Sequence, residues 1–336
     1  HFNLVLALFH APTPVEQRRV LELCQRHGLV AILADQGPSP APPVDGDACW
    51  GYALRDEPAV KDFPGLRRRV DELRAARPGR LAYVNLYPGY ASPEQQLGAA
   101  TYAEYVRRFV REVDVDVLCM DHYPLFRPEA DGRDAYCADL AVMRTNALER
   151  GLPFWNFFNT MPYGPHTDPT EAQLRWQIFA SLAYGARGIL YFCYYTPAGA
   201  EFPKGGAIIR RDGTPTRHFD QARRLNRAVA SLGPTLMQLT STAVYRVGPA
   251  DDPKAVLSGS PLRDLRRALP DSRPCRSRSS CSARTPCSRT ASAPSAATRA
   301  WPCSRRPTRK TSSPSPTTSA ARAGCPSSSS TARGWP

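Results

Sequence analysis

The chain has 336 residues, with 44 Lys and Arg against 30 Asp and Glu, a net charge of +14. From Asp271 to Pro336 eleven Arg and one Lys stand against one Asp, a net +11, so residues 1–270 carry only +3. That distribution argues against a nucleic-acid-binding face on the body of the chain, no apolar run reaches transmembrane length, and no C-x-x-C or disulfide framework occurs.

The chain opens at His1 inside an apolar segment, so the natural start is expected upstream. Seven short apolar runs then follow: Phe2–Leu8, Leu29–Ala34, Trp50–Arg55, Leu81–Leu86, Val115–Met120, Pro153–Phe158 and Gly188–Tyr194. Near-continuous apolar runs suit a parallel sheet covered on both faces. Amphipathic helical patterns lie between most of them. Thr13-Pro14-Val15-Glu16 supplies an N-cap, a proline in the first turn and a capping-box Glu, and Gly28 ends that helix. Ser92-Pro93-Glu94-Gln95 and Asp168-Pro169-Thr170-Glu171 repeat the device. The helix begun at 168–171 buries Leu174, Ile178 and Leu182 and stops at Gly185, and another is expected over roughly 215–232. Between Ala34 and Trp50 there is no helical pattern, only a Pro-rich stretch that a loop or very short helix must span. Cys119 and Cys193 sit inside apolar runs, where Cys acts as a small hydrophobe.

Strand and helix alternating over this length mean an α/β fold. Seven strands with a truncated start predict a (β/α)8 TIM barrel lacking its first strand, with two unpaired sheet edges at the gap. The alternative is an open doubly wound sheet. Phe9-His10-Ala11-Pro12-Thr13 carries no glycine, which lowers the nucleotide-binding option. The barrel is assigned to 1–245, and 246–270 to the start of a truncated C-terminal region. Residues 271–336 contain no Leu, Ile, Val, Phe, Met or Tyr but five Cys. They read either as a disordered Ser/Pro/Arg tail or as out-of-frame translation of a GC-rich gene.

In a barrel the chemistry sits at the C-terminal ends of the strands. Read in order, those ends supply Asp35; Asp56 and Glu57; Asn85 and Tyr87; Asp121, His122 and Tyr123; Asn156 and Asn159; Tyr194 and Tyr195. Carboxylates and amides bind hydroxyls, and rings stack on a pyranose. Trp50 and Trp155 are platform candidates, against the alternative that they are core.

Several segments carry a family likeness: G-Y-A-L-R-D-E-P at 51–58, N-L-Y-P at 85–88, M-D-H-Y-P at 120–124, L-P-F-W-N-F at 152–157 and E-A-Q-L-R-W-Q-I-F-A-S-L-A-Y-G-A-R-G-I at 171–189. On these, residues 1–245 resemble the (β/α)8 glycoside hydrolases of the large retaining clan, especially family 42 β-galactosidase-type barrels and uncharacterised bacterial barrels near them. The resemblance implies a carbohydrate substrate and no cofactor. It makes the first visible strand the second of the barrel and Trp50–Glu57 the fourth. It gives Glu57 the general acid/base role, with Asp56 where the clan normally has Asn. The clan's nucleophile, a Glu ending the seventh strand, has no counterpart here, because Pro153–Phe158 is followed by Asn159. The substitutes are Asp121, Asp35 and Glu201, with Asp121 first. Asp35, Asp56, Asn85, Tyr87, His122, Tyr123, Trp155, Asn156, Asn159 and Tyr194 are expected to contact substrate.

Two other functions stay open. A barrel without its nucleophile would bind sugar without turnover. A metal-dependent hydrolase would need clustered ligands, but the six His, at 1, 10, 27, 122, 166 and 218, form neither His-x-His nor His-Glu-x-x-His. A serine hydrolase is disfavoured because no G-x-S-x-G occurs.

Overall fold

The computed structural model describes residues 2–7, 13–39 and 42–245. The expectations for 246–336, and for the end of the first strand at Leu8, lie outside the described residues. Seven strands form one parallel sheet: β1 (Leu4–Leu6), β2 (Val30–Ala34), β3 (Cys49–Asp56), β4 (Leu81–Leu86), β5 (Leu118–Asp121), β6 (Phe154–Asn159) and β7 (Gly188–Phe192). Their order in space is their order in the chain. The helices are α1 (Pro14–Arg26), α2 (Phe63–Ala76), α3 (Tyr102–Glu112), α4 (Arg133–Arg150), α5 (Glu171–Ala183) and α6 (Arg217–Leu236). One helix follows every strand except β2, whose link to β3 has none among the described residues.

Alternation along the strands sorts side chains into two layers. Ile32, Ala53, Tyr83, Val117, Cys119, Trp155, Phe157 and Leu190 form one inner cluster, joined by Leu4, Leu6 and Phe192 from the two outermost strands. Contact between the first and last strands through one interior cluster is what a curled sheet with a filled lumen produces. Phe2 reinforces it, its ring 5.2 Å from Tyr191 and 5.3 Å from Tyr194, both edge-on. The opposite faces pack on the helices, with Val84, Leu86, Leu118, Met120 and Phe154 against residues of α2, α3 and α4.

Helix starts follow local chemistry. Thr13 and Glu16 form the capping box of α1. The cap of α5 is Thr170, paired with Gln173, rather than Asp168. Asp168 instead accepts from Arg217 and His218 of α6. The device at Ser92 yields only a π-helical turn, Pro93–Leu97, because Gly98 takes a left-handed φ of 69° and breaks it. Thr101 caps the true helix by accepting from Glu104 N at 3.1 Å.

Candidate active site

The site is built where β3 leaves regular pairing. Ala53 faces Tyr83, but Arg55 faces Val84 and Asp56 faces Asn85, so two residues, Leu54 and Arg55, stand against Val84 alone. The slip inverts the alternation. Unbroken pairing would turn Arg55 inward and Asp56 toward the helices. With it, Asp56 comes beside Asn85, whose Nδ2 donates to Asp56 Oδ1 at 3.0 Å. Glu57 follows at a left-handed φ of 47°, rare for a residue with a side chain, and its N–H donates to Asn85 O at 2.8 Å. Pro58 follows just past the strand, and its carbonyl accepts from Tyr105 of α3 at 2.6 Å.

Asp121 ends β5 and belongs to the same electrostatic unit. Burial first, then the charges of Glu57 and Asp56, push its carboxyl well above the ordinary carboxylate range, while hydrogen bonds with Tyr123 and Asn85 act the other way. Burial, and then the Asp56 charge, raise Glu57 from 4.5 to about 7. Asp56 is itself raised by burial, against the hydrogen bond from Asn85. Asp121 Oδ1 and Asn85 Oδ1 are buried and have no hydrogen-bond partner among the described residues.

His122 is fixed beside this group. Its Nδ1 lies 2.6 Å from Asp139 Oδ2, which also accepts from Gly89 N at 2.7 Å. A Cβ at Gly89 would stand 2.2 Å from Asp139 Oδ1, so this approach needs glycine. The His122 ring sits edge-on between Tyr90 at 5.0 Å and Tyr136 at 5.3 Å. Tyr123 packs against Tyr163, His166 and Phe192.

Tyr90 and Tyr163 lie past the strand ends, and the strand-end reading missed both. Burial first, and the Asp121 and Glu57 charges among the further causes, raise both hydroxyls, so both lie within electrostatic reach of the carboxylates, although Tyr90 as a whole is 56% exposed. Tyr87 adjoins Glu57 in the same way, its hydroxyl raised by burial and then by that charge. No period in the sequence reaches Tyr163; the only signal is an aromatic in a short Pro/Gly loop after β6.

Five expected substrate contacts lie elsewhere. Asp35 is held by Arg69 of α2, with Oδ1 2.7 Å from Nη2 and Oδ2 2.8 Å from Nε. Trp155 belongs to the inner cluster, and a Cβ at Gly188 would stand 2.6 Å from its ring. Asn156 points to the helix layer, donating to Tyr136 OH at 2.7 Å and Ser181 Oγ at 3.1 Å. Asn159 spends its amide on the loop that follows, accepting from Met161 N and donating to Thr167 O. Its backbone is clamped on both sides by Gln177 of α5. Tyr194 is 48% exposed against Phe2, and Trp50 is 44% exposed near the start of β3, away from the strand's C-terminal end. Glu201 is exposed beyond β7. Asp56, Glu57, Asn85, Tyr87, Asp121, His122 and Tyr123 are the expected residues that the fold does bring together.

Among the described residues no group of three His, Cys, Asp or Glu is placed to hold a metal ion, and no helix is long and apolar enough to cross a membrane. What the arrangement offers is three raised carboxyls at the ends of β3 and β5, one of them bonded to the Asn85 amide of the strand between, with three tyrosines in their electrostatic reach.

Neither a protein-family model nor a curated protein sequence matches the chain. Solved structures do. A β-galactosidase from the psychrophilic Marinomonas ef1 superposes with a TM-score of 0.51 at 13% identity, over 71% of this chain and 58% of that one. A GH42 β-galactosidase from G. stearothermophilus has a TM-score of 0.48 at 14% identity, over 75% and 54%. A GH5_18 protein from Bifidobacterium longum subsp. longum has a TM-score of 0.44 at 12% identity, over 68% of each chain. At these identities the likeness is one of fold: the chain has the curled parallel sheet and helix layer of glycoside-hydrolase (β/α)8 barrels. It spans little more than half the length of the Marinomonas enzyme.

Proposed function

We propose that this protein is a glycoside hydrolase working through Glu57 and Asp121. The observation that carries the reading is a carboxyl at the C-terminal end of a barrel strand, raised to about 7 by burial and by Asp56. A general acid is most useful when its pKa lies near the working pH. Glu57 gives its proton to the glycosidic oxygen as the bond from that oxygen to C1 breaks, through an oxocarbenium-like transition state. Asp121, ionised, either bonds C1 directly or takes a proton from the attacking water. The leaving group departs with the proton from Glu57; on the covalent route water then displaces Asp121 from C1 and gives its proton to the now ionised Glu57, and on either route water supplies the hydroxyl that ends on C1. Burial and two carboxylate neighbours oppose that ionised form in the free protein, so the pair holds protons in common. Tyr87, Tyr90 and Tyr163 offer ring faces for the sugar.

The test is Glu57→Gln assayed on an unactivated disaccharide and on an aryl glycoside. The disaccharide rate should fall by about 10²–10⁴-fold. Turnover like that of the wild type would remove Glu57 from the mechanism.

A second reading is a barrel that binds sugar without turnover. It is favoured by Asn159, which ends β6 without a carboxylate and has its amide engaged. It predicts saturable oligosaccharide binding with no product after long incubation.

A further inference from the structure

We propose that the carboxylate group of Asp56, Glu57 and Asp121 at the barrel mouth is built for a sugar that carries a free amine, so that the substrates are glycosides of amino sugars. The catalytic part of this rests on the glycosidase reading above; the binding part does not.

The first support is a donor and acceptor count. Asn85 is 2% exposed and spends its Nδ2 on Asp56, leaving Oδ1 buried and unpartnered. Asp121 Oδ1 is buried and unpartnered as well. A buried acceptor without a donor costs about 1–3 kcal/mol, so these atoms await donors from a ligand. A carboxylate offers acceptors only, whereas a primary ammonium offers three donors and no acceptor. A sugar hydroxyl brings a single donor and no charge.

The second support is the missing counter-ion. This chain is rich in Arg, and shielded acids elsewhere on it meet one. Asp35 pairs with Arg69, and Asp45 with Arg80. Asp56, Glu57 and Asp121 form no ion pair among the described residues, and no cation is among the leading influences on any of the three. Arg55, the nearest by sequence, is exposed, and its charge acts on Tyr87. Three desolvated carboxyls without a cation cannot all ionise.

The third support is what a cation would do once there. An ammonium between Asp56 and Asp121 favours their charged forms and returns Asp121 to the state the reaction needs, while burial, the larger cause of the raised Glu57 carboxyl, still holds the proton on the acid. The recognising group thus also arms the catalytic one. Tyr90 and Tyr163, within electrostatic reach of the carboxylates, are the aromatic rings a cation there could meet.

The experiment uses the full 336-residue chain. Its probes are 4-nitrophenyl glycosides of glucosamine and galactosamine, in both anomers, each with its N-acetylated form and its parent hexoside. Hydrogen bonds to a charged group are worth about 1.5–3 kcal/mol, so kcat/KM for a free-amine glycoside should exceed that of its two counterparts by about tenfold or more. An N-acetylated or parent glycoside turned over equally well would overturn the proposal. If no glycoside is hydrolysed, the glycosidase reading fails, and titration calorimetry decides the binding part. Glucosamine or galactosamine should then bind about tenfold more tightly than glucose or galactose, and equal affinities would overturn it. Asp56→Asn, checked for folding by circular dichroism, should reduce the amine preference, and an unchanged ratio would remove Asp56 from recognition.

Discussion

Replacing Asp56 with Asn removes a charge while keeping the side chain's shape and its contact with Asn85. Glu57 is raised from 4.5 to about 7 by two causes, of which burial is the larger and Asp56 the smaller. Neutralising the smaller cause lowers the pKa by less than half of that rise. The alkaline limb of kcat/KM should therefore move from about 7 to no lower than about 5.7. The sign follows from the role: a proton donor works below its pKa, so a lower pKa shifts the falling limb toward acid. At pH 7 the protonated fraction drops from about one half to as little as one twentieth, a loss of up to about tenfold. The assay is kcat/KM for one glycoside from pH 4 to 9, because that ratio reports the groups of the free enzyme. A limb that stays in place, or moves toward alkali, would refute the coupling between these neighbouring carboxylates.

Glu57→Gln should also change stability with pH. A carboxyl raised in the folded state contributes stability that is full below its unfolded pKa and lost as pH rises through about 7. The Tm difference, variant minus wild type, should therefore grow between pH 4.5 and 8, and a flat difference would sink the claim. Trp155→Ala empties part of the inner cluster and should cost about 3–5 kcal/mol in denaturant unfolding; a small cost with a raised KM would return Trp155 to the substrate. Gln177→Ala orphans the buried N–H and C=O of Asn159, and a loss of roughly 2 kcal/mol or more is expected from the same measurement. Gly89→Ala drives a Cβ into Asp139 and so disturbs His122; turnover should fall, whereas unchanged turnover and Tm would show that the loop gives way freely.

Much of the barrel was legible because parallel strands buried on both faces leave unmistakable apolar runs. The Pro-rich gap before Trp50 reads as a loop or a very short helix, and no helix occurs among its described residues. Boundaries were less clear. Val115 and Val117 are buried, yet pairing of β5 begins only at Leu118, and Ser92-Pro93 looked like a helix start because Gly98 was not weighed against it. In the site, a position at a strand end said that a residue was near the mouth but not which way it faced. Asn156 and Trp155 are adjacent, and alternation sends one to the helices and the other into the lumen. Asp35 was lost to an Arg 34 residues away, a pairing no local pattern records. Tyr90 and Tyr163 sit on loops, where periodicity does not apply.

The slip between Ala53 and Arg55 gives β3 an unusual sensitivity to length. Exchanging any one of its side chains alters a single contact. Removing Leu54 would restore even pairing with β4 and leave Arg55 outward and Asp56 beside Asn85, whereas adding one residue to β4 after Val84 would give Leu54 and Arg55 a partner each and exchange the directions of Arg55 and Asp56 together. The site would then lose an anion and gain a cation in one step, with the apolar pattern almost intact. For this pair of strands, a change in their relative length rather than a substitution is the change most able to invert what the barrel mouth attracts.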